Sequence, residues 1–218
     1  MCVFCGTTPD SRDHCPSKVL LDEPLPPNVP VVQACDSCNN SFSMDEQYLA
    51  CLIETALCGS AEPEGVSRAK VKRILTENPA LVTRVKQSKR LDSSGNMMWE
   101  AELERVRNVI IKLARGHMAY ELSLPKLEDP DEVTILPLIL MSDKQRSNFE
   151  SPTSGAPELW PEIGSRAFIR AANRWPDQSS SNWLVVQAGR YRYMVSQTSG
   201  NFAQIVLSEY LACRVAWH

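Results

Sequence analysis

The chain has 218 residues, with 23 Lys and Arg against 26 Asp and Glu, a net charge of −3 and 43% hydrophobic residues. That length suits one sizeable domain, or a small module joined to a larger one. No apolar run is long enough to span a bilayer, and the opening MCVFCG lacks a secretory leader's charged and apolar regions, so a cytoplasmic protein with no membrane partner is expected. The slightly anionic balance also excludes nucleic-acid binding through overall charge alone.

The first feature along the chain is a pair of C-x-x-C spacings, Cys2/Cys5 and Cys35/Cys38, among eight cysteines. In a reducing compartment these are not expected to be disulfides. Two such pairs read as a tetrahedral zinc site, because Zn²⁺ prefers thiolates and each pair spans one knuckle turn. Cys51, Cys58 and Cys213 read as small buried hydrophobes. Residues 6–34 are loop-rich, since Pro24, Pro26, Pro27 and Pro30 rule out a long helix, and a strand is expected near Val29–Ala34. A helix follows with Ser43 and Glu46 as a capping box. Its apolar face is Tyr48, Leu49, Leu52, Ile53 and Ala56, and Gly59 ends it.

Residues 66–76 and 79–90 read as two short helices, the second opening at Asn78-Pro79. Residues 66–91 carry Arg68, Lys70, Lys72, Arg73, Arg84, Lys86, Lys89 and Arg90 against one acid, Glu77. Such a stretch can hold phosphates locally, or be the solvated face of helices. After a turn at 93–96 the clearest helix spans 98–121. Leu103, Val106, Ile110, Leu113, His117 and Tyr120 recur on one face, and Arg105, Lys112 and Arg115 line the next. His117 reads as a hydrogen-bonded core histidine, and Gly116 suggests a close approach to the helix. Beyond Pro125 the pattern turns to strands: Val133–Met141 at an edge because of Pro137, then Trp183–Val186, Arg190–Gln197 and Phe202–Leu207. Residues 208–217 fit a strand or a short helix. Residues 150–164 read as loop, and Trp160, Trp175, Trp183 and Trp217 as core or interface aromatics.

Between the cysteine pairs stands Asp13-His14-Cys15-Pro16-Ser17-Lys18, and Asn39 and Asn40 follow the second pair directly. CVFC at 2–5, DHCPSK at 13–18 and ACDSCNN at 34–40 together resemble the zinc-knuckle branch of the HNH (ββα-metal) endonucleases, over about the first quarter of the chain. The resemblance implies an α+β fold: a zinc-stapled ββα-metal module at 1–58, a helical region with a basic patch at 59–124 and a β-rich region at 125–218. It implies His14 as general base, with Asp13 and Asn39 holding a catalytic Mg²⁺ or Mn²⁺. Cys2, Cys5, Cys35 and Cys38 would hold a structural zinc. The position nine before Asn39, where the family carries a central Asn, is Pro30, with Asn28 nearby. Ser43 stands where a third ligand belongs, with Asp45 and Glu46 as the carboxylates close to it.

Such a site hydrolyses a phosphodiester by deprotonating water and stabilising the leaving oxygen. DNA is the expected substrate, with RNA kept open. Lys86, Lys89, Arg105, Lys112 and Arg115 are the candidate phosphate contacts, and the C-terminal region is the candidate surface for a homodimer or protein partner. By analogy alone, the setting is prokaryotic or phage defence, or a toxin. The alternatives are a degenerate nuclease that regulates or scaffolds, and a non-catalytic zinc-ribbon module that grips nucleic acid or protein. A ribbon has no need of Asp13, His14 and Asn39.

Overall fold

A computed structural model of the chain describes residues 1–91, 93, 95, 97–151, 161–174, 182–197 and 200–218. The N-terminal part holds two short antiparallel strands, β1 (Ser11–His14) and β2 (Val31–Ala34), paired from Ser11↔Ala34 to His14↔Val31. Helix α1 (Asp36–Ser41) follows β2, and α2 (Ser43–Cys58) follows α1. The expected strand and the helix after it are therefore present. Gly59, at φ 70°, ends α2 in the left-handed region where glycine carries no Cβ penalty.

The middle of the chain holds α3 (Ala69–Glu77) and α4 (Pro79–Gln87). Asn78 caps α4 by accepting from the Leu81 amide at 3.0 Å, and Pro79 takes the first turn, where no amide partner is needed. Helix α4 stops before residue 90, because Lys89–Leu91 form β3, paired with β4 (Met97–Trp99). The long helix α5 (Leu103–Leu122) consequently starts later than its periodicity suggests. Val106, Ile110, Leu113 and His117 are buried as the spacing predicts, but Leu103 is 66% exposed.

The C-terminal part is a five-stranded antiparallel sheet of order β5-β9-β8-β7-β6. Its strands are β5 (Glu132–Pro137), β6 (Leu184–Gln187), β7 (Tyr191–Ser196), β8 (Asn201–Leu207) and β9 (Leu211–Trp217). Strand β5 is an edge, which Pro137 requires, and residues 211–217 are a strand rather than a helix. Two further helices, α6 (Asp143–Glu150) and α7 (Arg166–Arg174), interrupt the strand run. Neither was expected from the sequence, which carries no assignment at 142–149 or 165–182. Trp160 and Trp175 lie outside the described residues. Trp217 is buried, and the half-buried Trp183 donates to the Glu150 carbonyl at 3.0 Å.

Helix α5 is the spine. It packs α2 on one side and β7, β8 and β9 on the other. One cluster of buried side chains runs through all three stretches of the chain: Cys15, Leu20 and Leu21; Leu49, Leu52, Ile110 and Leu113; Ile205, Val215 and Trp217. Burial of each such aliphatic side chain contributes roughly 1.5–3 kcal/mol. A smaller cluster, Cys2, Val3, Phe4, Val32 and Ala34, lies under the cysteine pairs. Asp22 ties the regions further, pairing with Arg68 of the α3 N-terminus and with Arg190 at the start of β7.

Candidate functional site

The four knuckle cysteines come together. Their Sγ atoms lie within 4.8 Å of one another, with Cys5 and Cys35 at 3.7 Å. Tetrahedral zinc with Zn–S bonds of about 2.3 Å sets ligand sulfurs about 3.8 Å apart, so the donor set fits zinc in both chemistry and spacing. Local backbone explains the convergence. The Gly6 amide closes the first knuckle onto the Cys2 carbonyl at 2.9 Å with φ 77° at Gly6. In the second knuckle Cys35 caps α1, its Sγ accepting from the Cys38 amide at 3.5 Å. The Thr7 hydroxyl and backbone beside Cys5 lower that thiol to about 6, whereas loss of solvent pushes Cys38 up. The other cysteines stay out of the cluster. Cys15, Cys51 and Cys213 are fully buried, and the half-buried Cys58 contacts Glu54 and Ser67.

Strands β1 and β2 and helix α1 form a ββα unit held at one end by these cysteines. Asn39, on α1, bridges back to β1: its Nδ2 donates to the Ser11 hydroxyl at 3.0 Å and to the Arg12 carbonyl at 3.4 Å. Its amide oxygen has no hydrogen bond among the described residues, Asn40 is exposed and Asn28 is exposed. His14 closes β1. Its ring is half-buried and makes no hydrogen bond to a described residue. Partial burial, and then the charge of Lys18, hold its pKa below 6.5, so the ring is neutral near pH 7. Arg12 and Lys18 flank it in sequence; both are exposed and without a carboxylate partner among the described residues. Sequence reasoning did not single out these two basic residues as phosphate contacts, and their closeness to His14 was the available signal.

Asp13 points the other way, as strand alternation requires. It is 7% exposed, and its Oδ2 lies 2.7 Å from Nζ of Lys112. Lys112 is 1% exposed; its ammonium also reaches Glu46 at 2.5 Å and the Ser17 hydroxyl at 3.1 Å. Ser17 in turn donates to Glu46. Burial pulls the Lys112 pKa down, but the Glu46 and Asp13 carboxylates outweigh it and the net shift is upward. Burial raises Asp13, with Lys112 opposing.

Two expectations are corrected here. Lys112 is a buried counter-ion, not a phosphate contact, because α5 turns this position toward α2 and β1. Glu46 is not a capping residue: α2 starts with Phe42 as its N-cap and no side-chain cap, and the Glu46 carboxylate is drawn to Lys112.

The same pairing bears on the catalytic cation. The carboxylate of Asp13 is committed to an ammonium ion, which leaves the Asn39 amide oxygen as the uncommitted oxygen of the expected pair. A hard divalent cation needs several oxygen ligands, carboxylates first among them. Asp13 and Asn39 as arranged do not fit one.

The remaining expected contacts are distributed as follows. Lys86 pairs with Glu62 at 2.6 Å, and Arg105 pairs with Asp45 at 2.8 Å and Glu102 at 2.9 Å. Arg115 donates to the Leu127 and Glu128 carbonyls at 3.2 and 2.9 Å and lies 3.5 Å from Asp129. Lys89 is exposed and has no carboxylate partner among the described residues.

A second buried polar group lies beneath the site. His117 is fully buried, and its Nε2 meets the Tyr191 hydroxyl at 2.7 Å and Cys15 Sγ at 3.7 Å. Its ring stacks on Tyr193, with centroids 3.6 Å apart. Burial, then the Lys112 charge, lower its pKa to about 3, so it is a neutral core histidine. The close approach anticipated at Gly116 is that of Cys15: a Cβ at Gly116 would stand 2.5 Å from Cys15 Sγ.

Among the described residues no helix is long and apolar enough to cross a membrane. The chain matches no protein-family model, no curated protein and no solved structure.

Proposed function

We propose that this chain is an HNH-type endonuclease that hydrolyses phosphodiester bonds, in DNA first, with His14 as general base and zinc on Cys2, Cys5, Cys35 and Cys38 as a structural staple. The observation that supports this most is the His14 ring. It ends β1 of the cysteine-held ββα unit, without a hydrogen-bond partner among the described residues and partly open to solvent. A neutral imidazole in that state accepts a proton from water attacking phosphorus. Arg12 and Lys18 supply positive charge for the phosphate, and Asn39 keeps α1 against β1, so the ring stays fixed relative to the cysteine cluster. The resemblance also implies Mg²⁺ or Mn²⁺ at Asp13 and Asn39, which requires Asp13 to leave Lys112.

The test is a time course on supercoiled plasmid with and without Mg²⁺ or Mn²⁺, for the wild type and His14→Ala, with zinc measured in parallel. His14→Ala is expected to keep its zinc and lose roughly 10²–10⁴-fold in rate. Wild-type protein that leaves plasmid intact with either ion, or a His14→Ala variant that cuts as fast, refutes the proposal.

A non-catalytic zinc module is the second reading, and the Asp13–Lys112 pair favours it. It predicts binding of nucleic acid or a protein partner without cleavage, and no effect of His14→Ala on that binding.

A further inference from the structure

The sheet has two unlike faces. Val133, Ile135, Ile205, Cys213 and Val215 face α5 and the main core, while Val206 and Ala212 on the opposite face pack with Phe149 of α6. On that outer face Arg214 stands opposite Thr134 on one side and Gln204 on the other. Glu132 lies two residues from Thr134, hence on the same face. Between this row and α6 is a cleft of about 250 Å³. It is smaller than the usual range for drug-sized ligands.

Two polar groups of this cleft lack the partners that their chemistry calls for, and an exposed carboxylate, Glu132, stands at its mouth. Gln204 is 1% exposed, with apolar neighbours from Phe202 to Leu207 along its strand, and its Oε1 is buried without a hydrogen bond among the described residues. Such a group calls for an explanation, because buried amides are nearly always paired. Arg214 is half-buried, with its Cζ 4.0 Å from the centroid of the Phe202 ring and no carboxylate in reach among the described residues. Glu132 accepts only from the Thr134 hydroxyl at 2.9 Å and has no cation in reach among the described residues. Glu132 and Arg214 line one cleft on neighbouring strands without forming an ion pair. Leu136, Phe149 and Ala212 give the same cleft an apolar floor.

We infer that this cleft binds a free α-amino acid with an apolar side chain. A guanidinium takes a carboxylate, edge to edge. The Glu132 carboxylate takes the ammonium, Gln204 Oε1 accepts one of its N–H groups, and the apolar floor receives the side chain. A plain anion satisfies Arg214 but sets its charge near Glu132 and leaves Gln204 unpaired. A plain amine does the reverse. A small zwitterion offers a partner to each of the three groups.

The experiment is calorimetric titration of the full chain with each of the twenty standard amino acids. The fatty acid and the amine that match each binder in carbon skeleton serve as controls. At least one apolar amino acid is expected to bind, and neither of its one-charge analogues should do so comparably. Arg214→Met should weaken binding at least tenfold. Glu132→Gln, at an exposed edge where folding is not at risk, should also weaken it. Gln204→Leu should weaken binding while raising the Tm of the free protein, since it removes an unpaired buried amide. His14→Ala should leave binding unchanged, which separates this site from the nuclease reading. No binding by any amino acid at millimolar concentration overturns the inference. So does equal binding of the fatty acid, which marks a simple anion site, or unaltered binding by both Arg214→Met and Glu132→Gln.

Discussion

His14 and Asp13 are neighbours in sequence with opposite surroundings. The backbone alternation of β1 turns one toward solvent and the other into the protein, and their roles separate accordingly. The imidazole of His14 is held below its ordinary 6.5 by partial burial and then by Lys18. Its ring titration, followed by NMR, should therefore have its midpoint below 6.5 in the zinc-loaded protein. Lys18→Gln should move that midpoint upward by removing one of the two main causes. A cleavage rate that depends on His14 should follow the same limb, falling as pH drops through the midpoint. The Asp13 side chain instead completes an ion triad with Lys112 and Glu46. Removing the shared cation leaves two largely buried carboxylates without their counter-ion. Lys112→Met should cost on the order of 3–5 kcal/mol in urea unfolding, the usual cost of stripping one partner from a buried pair. Adding Asp13→Asn and Glu46→Gln should recover much of it, because the remaining amides carry no charge to strand. The sequence showed Lys112 on a stripe with Arg105 and Arg115, and all three looked alike there. Only the approach of β1 and α2 to that side of α5 distinguishes the buried lysine.

At the level of elements, α5 depends on one glycine. Gly116 admits the Cys15 side chain against the helix, and a methyl group there would meet its sulfur at 2.5 Å. Gly116→Ala should destabilise by about 1–3 kcal/mol through overpacking, despite the better helix propensity of alanine. Cys15→Ala in the same chain should restore most of the loss, and a double-mutant cycle on thermal melts would show this coupling. The glycine was conspicuous in an otherwise regular amphipathic pattern, so a close approach there was legible, though its partner was not. Elements with strong local signals were also legible: α4 from Asn78-Pro79, the end of α2 from Gly59, and the edge position of β5 from Pro137. The hairpin joining β8 to β9 was harder to read. Its turn places Ser208 and Glu209 at φ 54° and 46°, a conformation that sequence normally announces with glycine or asparagine. Without that marker, residues 208–217 fitted helix and strand equally. Strand β3 was hidden for a related reason. All its residues are exposed, so no buried face imposed an alternating pattern.

For the whole molecule, the question is how far the cysteine cluster governs stability. The cluster packs over only a small set of buried residues, whereas the main core joins α2, α5 and the sheet. Stripping zinc with a chelator should therefore open the cysteine knuckles, β1, β2 and α1 without melting the rest. Hydrogen exchange should show protection lost at about 2–14 and 31–41 and kept in α5 and β7–β9. Loss of protection throughout, or nowhere, would contradict that division. The sequence made the clustering of the two cysteine pairs and the helix-then-sheet order readable, because each follows from spacing within a few residues. It did not show that Cys15, Leu20 and Leu21 share a core with Ile205, Val215 and Trp217, since nothing local encodes a contact across that separation. That shared core has a consequence for biosynthesis. A ribosome releases the residues of β1 first and those of β9 long afterwards, and until β9 arrives the floor on which His14's neighbours rest is missing. Cys15, beside His14 in sequence, can therefore complete its packing only after β8 and β9 have emerged.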